Sequence, residues 1–134
     1  MGLRWYTVVI DCRDIAAQAR WWAQTLDYRI VHEAEDEVAV IPKWASVAEI
    51  ADPVVWREQP QGLVFVPVPE RKAVKNRLHI DLAPHSSQDR DAQIAELIAR
   101  GATVADVGRA RDVTWTVLAD PEGNEFCVLS ARSR

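Results

Sequence analysis

Cysteine is scarce in this chain. Its 134 residues include two, Cys12 and Cys127, near opposite ends and with no Cys-x-x-Cys pair. That usage argues against a disulfide framework or a zinc ribbon and suits a reducing cytoplasm. Long apolar runs are missing as well, since no stretch approaches the ~20 residues a membrane span requires. The opening residues do not read as a signal peptide, because Arg4 and Asp11 bracket too short an apolar run. Surplus positive charge is also absent. A net charge of −4 gives no electrostatic case for nucleic acid or an anionic membrane, so neither is expected as a partner. No linker or shift in composition divides the chain, and its length suits one domain over 1–134 with a real core.

What is present is an ordinary globular composition, 49% hydrophobic and 27% charged, with six tryptophans. Tryptophan is costly to expose in quantity, so several are expected to line a pocket or an interface. Trp5 to Cys12 alternates like a strand, with Thr7, Val9 and Asp11 on one side. Asp14 offers an N-cap, and Ile15, Ala19, Trp22 and Leu26 follow at helical spacing. Trp21 falls about a third of a turn off that stripe and is expected to meet a neighbour other than the core. Tyr28 to Ala34 and Glu37 to Ile41 read as strands. Trp44 to Gln61 is irregular, with a short helix before Asp52-Pro53, and Leu63 to Val68 is a strand that Pro67 confines to an edge or an end.

The same order then repeats. Arg77 to Ala83 is a strand, and Ser86 or Ser87 caps a helix to about Arg100. In that helix Ile94, Leu97 and Ile98 face inward and Gly101 is the stop. Thr103 to Val107 and Val113 to Ala119 are strands around the loop Gly108 to Asp112. Asp120-Pro121-Glu122-Gly123 is a turn leading into Glu125 to Ser130. The fold class is therefore α+β, built from two βαβββ modules, 1–70 and 71–134.

One phrase stands out, Lys75-Asn76-Arg77-Leu78-His79-Ile80-Asp81-Leu82. Leu78, Ile80 and Leu82 fall on one strand face and Arg77, His79 and Asp81 on the other. A cation, an imidazole and a carboxylate side by side can bind and protonate a small molecule. Arg77 can hold an anionic or carbonyl oxygen, His79 can move a proton, and Asp81 or Asp11 can orient the ring. The competing assignment is a salt-bridged sheet face. Glu125 and Cys127 share a side of the last strand, and Trp44, Trp56 and Trp115 are candidate aromatic walls. Arg109 and Arg111 sit in a loop placed to fold over a cleft mouth. His32 and His85 read as surface residues.

These modules, the Lys-Asn-Arg-x-His-x-Asp phrase and the ending Asp120-Pro121-Glu122-Gly123-Asn124-Glu125-Phe126-Cys127 resemble the vicinal oxygen chelate superfamily. The nearest likeness is to its glyoxalase-like branch, and Trp21-Trp22 with Leu26-Asp27-Tyr28 fits it too. The resemblance implies a curled, mostly antiparallel eight-stranded sheet around a cleft. It also implies a small-molecule ligand and a homodimer. In metal-dependent members four side chains hold a divalent ion such as Ni, Zn, Mn or Fe. The matching positions here are Thr7 or Val9, the neighbourhood of Phe65, His79, and Cys127. Of these His79 is the usual ligand type, so the expectation is that no stoichiometric catalytic metal is bound. The chemistry implied is that of a lyase, an isomerase or an oxygenase. The alternative is a non-catalytic sequestering protein of the bleomycin-resistance kind.

Overall fold

The computed structural model describes residues 2–105 and 115–134. The loop Gly108 to Asp112 with Arg109 and Arg111, and the start of the strand expected from Val113, lie outside the described residues. The chain forms two compact units, Met1–Arg71 and Lys72–Arg134, each a βαβββ module with its own four-stranded sheet.

The first module contains β1 (Thr7–Cys12), α1 (Ile15–Leu26), β2 (Tyr28–Glu33), β3 (Val38–Pro42), α2 (Pro53–Arg57) and β4 (Gly62–Pro67). Its strand order is β1-β4-β3-β2, with β1 parallel to β4 and the other pairings antiparallel. Asp14 caps α1 by accepting from the Ala17 N–H at 3.1 Å, and Asp27 ends the helix in the left-handed region at φ 57°. Ile15, Ala19 and Trp22 are buried as their spacing requires. Register puts Phe65 beside Ile10 and Val38, on the same face as Leu63 and Val40. Phe65, Val38, Leu63 and Val40 are all but inaccessible, Ile10 is half-buried, and together with α1 they make the core of the module.

Trp21 is a correction. It is 7% exposed, and its ring meets Trp22 edge-to-face, centroids 5.2 Å apart at 76°. The buried face of α1 also takes in Gln18 and Ala23, so it is wider than a single i, i+4 stripe and reaches the neighbouring tryptophan. The short helix also lies elsewhere, after Asp52 rather than before it. The Asp52 carboxylate accepts from the Val54 N–H at 2.8 Å, and Pro53, which lacks an N–H, suits a first turn.

The second module contains β5 (Ile80–Leu82), α3 (Arg90–Ala99), β6 (Thr103–Val104), β7 (Thr116–Ala119) and β8 (Glu125–Val128), ordered β5-β8-β7-β6. The turn before β8 is built on Asp120. Its backbone pairs with Gly123 and Asn124, and its carboxylate accepts from the N–H groups of Glu122 and Asn124 at 2.9 and 3.0 Å. Gly123 at φ 89° occupies the position a side chain would strain. Neither Ser86 nor Ser87 caps α3. The turn His85–Gln88 uses them, and Asp89 takes the cap, accepting from the Ala92 N–H at 3.1 Å. Ile98 is 42% exposed rather than inward, so Leu97 is the buried anchor of that helix.

The strand expected from Arg77 starts only at Ile80, and Leu78 is 88% exposed rather than in the core. Ile80 pairs with Phe126, so Arg77 and Leu78 would face the turn ahead of β8 rather than a strand, and Glu125 there accepts the Asn76 N–H at 3.0 Å. Among the described residues no helix is long and apolar enough to cross a membrane.

Candidate functional site

In the second module β5 runs parallel to β8 with Asp81 beside Cys127, and adjacent residues of paired strands point to the same face. The opposite face carries Thr116, Phe126 and Val128. Arg90, the first residue of α3, donates to Thr116 Oγ1 at 2.8 Å, so α3 stands on that side. On the side away from the helix, His79 Nε2 lies 3.1 Å from Asp81 Oδ1. The ligand atoms of His79, Asp81 and Cys127 all fall within 4.8 Å of one another. The imidazole and carboxylate are 34% and 48% exposed, whereas Cys127 is buried.

Glu125 shares this side but is engaged elsewhere. Lys72 Nζ donates to Oε1 at 2.8 Å and the Asn76 N–H to Oε2, in a pair under a fifth exposed. Burial alone would raise its pKa. The Lys72 and Asn76 hydrogen bonds and the lysine charge outweigh that and hold the carboxyl below its usual value. Arg77 is exposed in the bend before β5, outside the cluster, and Trp115 is half-buried just ahead of β7.

The first-module candidates divide between two faces. Thr7, Val9 and Asp11 pair with Gly62, Val64 and Val66, on the side away from α1, and Val9 and Asp11 are exposed there. Phe65 is a correction. It points to the core, and Val64 and Val66 occupy the face it was expected to share. Trp44 is also a correction as an aromatic wall: it is 75% exposed and lies outside the lining of the first-module cavity. The wall belongs to Trp56. It borders a cavity of about 720 Å³ over the side of the sheet away from α1, with Thr7, Val31, Ile41 and Val64 in the lining. The segment Ala45–Ala51 also lines it, tethered where Arg29 Nη2 donates to the Ala45 carbonyl at 2.8 Å. Val31 falls at the register shift between Ile30 and His32.

Two features escaped the sequence reading. The sequence pattern offers Asp81 or Asp11 to orient His79, and does not mark Asp81 as a donor to a metal. Arg4 was not singled out, although a cation between Leu3 and Trp5-Tyr6 was the available signal. With Asp81 included, nitrogen, oxygen and sulfur donors gather in the number typical of a catalytic zinc site. The set fits a divalent ion of that borderline kind.

A βαβββ module used twice, each sheet with its helix, defines a paired-module α+β class. A glyoxalase-like domain model matches residues 7–129, and the chain belongs to the glyoxalase-like family of the vicinal oxygen chelate superfamily. The fold is similar to that of a glyoxalase/bleomycin resistance protein/dioxygenase family enzyme from Burkholderia phytofirmans. The two share 17% identity over 96% of this chain and 99% of that one, with a TM-score of 0.67. It is also similar to the fosfomycin resistance protein FosX of Mesorhizobium loti, at 14% identity over 98% and 94% and a TM-score of 0.65. FosX of Listeria monocytogenes, complexed with Mn(II) and sulfate, matches at 10% identity over 98% and 92%, TM-score 0.68. At such identities the likeness is one of fold. No curated protein matches the sequence.

Proposed function

We propose that the chain is a small-molecule enzyme of the lyase, isomerase or oxygenase kind, centred on His79, Asp81 and Cys127. The observation that carries this is the convergence of three donor atoms on the side of β5 and β8 away from α3. His79, Asp81 and Cys127 would hold a divalent ion, with Mn, Fe, Ni and Zn the candidates. Bound, such an ion supplies Lewis-acid polarisation of a substrate oxygen. Without the ion, Asp81 Oδ1 orients the imidazole through Nε2 at 3.1 Å, and the partly exposed ring would then be placed to exchange a proton with a molecule lying against it; ligation of an ion through Nε2 would replace that role. The Mn(II) in the Listeria protein supports the metal reading.

The test is elemental analysis of the full chain before and after dialysis against chelator. About one divalent ion per chain is expected, and it should be lost in both His79→Ala and Cys127→Ser. Metal-free protein in all preparations, with no binding of added Zn or Mn, would overturn the metal centre.

The non-catalytic, sequestering reading is supported by a different observation, the first-module cavity with Trp56 in its wall. Under either reading we take the protein to be cytoplasmic, consistent with its two buried thiols, and homodimeric.

A further inference from the structure

The geometry points to a binding site in the first module for a singly charged carboxylate with an apolar body, received by Arg4. This site needs none of the second-module chemistry, so it stands whether or not His79 holds a metal.

Arg4 lines the cavity of about 720 Å³ together with Tyr6 and Trp56. Its guanidinium carbon lies 4.8 Å from the Tyr6 ring centroid and 4.9 Å from that of Trp56, over each ring. The two rings come from separate segments, the approach to β1 and the helix α2, and both address the same cation. Contacts of this kind are made over ring faces, and they supply no hydrogen-bond acceptor along the edge of the guanidinium. Among the described residues none supplies one either. Arg4 Nε is buried with no hydrogen-bond partner, and no carboxylate lies within ion-pair distance of it. A buried N–H left unmatched is unfavourable, and a guanidinium edge matches a planar carboxylate through two parallel bonds.

The rest of the lining defines the remainder of the ligand. Val31, Ile41 and Val64 offer apolar surface, and the volume falls in the range that encloses a small organic molecule. Arg4 is the one cation in the described lining and Glu49 the one acid. Glu49 is exposed and makes no ion pair with Arg4, which leaves the guanidinium to match one negative charge. A phosphate monoester, near −2, would call for further cations that this lining does not contain. The class is therefore a monocarboxylate whose body lies on the face of the first sheet away from α1.

The test is calorimetric titration of the full chain with hexanoate, decanoate and 4-phenylbutyrate, each paired with its uncharged amide. At least one carboxylate is expected to bind about ten-fold or more tightly than its amide, as a charge-assisted fork implies. Arg4→Met keeps an apolar stem and should abolish that preference while leaving amide binding within about two-fold. If Arg4→Met does not fold by circular dichroism, Arg4→Lys replaces it. Lys keeps the charge without the planar fork, and should lose most of the preference. The assignment is overturned if no carboxylate binds, if all three bind no tighter than their amides, or if the preference survives in the folded Arg4 variant.

Discussion

Glu125 is a carboxylate the fold uses to tie two stretches of chain together, and its ionisation is therefore linked to stability. Its pKa is depressed in the folded state relative to an ordinary value of 4.5. The ionised form is the one that Lys72 and the Asn76 N–H favour. The contribution is fully present above the unfolded value and disappears as pH falls through the depressed folded value. Glu125→Gln is expected to destabilise the protein by roughly 1.5–3 kcal/mol near neutral pH, the range for hydrogen bonds to a charged group. The difference from the native chain should shrink on acidification below about pH 4.5, the unfolded value. Denaturant titrations at several pH values measure it. A gap independent of pH would show that the carboxylate charge is not what holds Lys72 and Asn76.

Helix α3 shows what one capping side chain does for an element. It is ten residues long with a single well-buried side chain, Leu97, so its ends weigh heavily in its stability. Asp89→Ala removes the acceptor of the Ala92 N–H and should cost about 1 kcal/mol, read from thermal melts. Ser87→Ala, in the turn ahead of the helix, should stay within about 0.5 kcal/mol. A reversal of the two would return the cap to the serine that spacing alone suggested. What was legible in the sequence follows the same division. The stripe Ile15-Ala19-Trp22-Leu26 and the alternation of β1 and β3 are local periodicities; Ile15, Ala19 and Trp22 are buried as read, Leu26 only half-buried, and the alternation is borne out. The start of β5 was not legible. It is set by where the partner strand β8 begins, with Asn76 bonding Glu125 across 49 positions, and no period reports such contacts. For the site, alternation placed His79 and Asp81 on one side. It carried no information on the spacing to Cys127 or on the cavity under the irregular segment Trp44 to Gln61.

For the molecule as a whole, the two modules share a plan in which the first and last strands pair in parallel and the remaining pairs are antiparallel. They differ in what they leave exposed. Trp5, Tyr6 and Trp44, all in the first module, are 65%, 64% and 75% exposed. Large apolar side chains left in water in such number favour association, and closed pairs of identical chains are the commonest outcome. The case for a homodimer rests on these residues; Trp21 is absorbed by the first core. Light scattering should give twice the 15.1 kDa of one chain at micromolar concentration. The double variant Trp5→Ser with Trp44→Ser should move the mass toward one chain while α1 and its core, which neither residue joins, keep their melting behaviour. A mass of one chain at every concentration would show that these aromatics face solvent in the native protein. A dimer unaffected by the double variant would place the interface on some other surface.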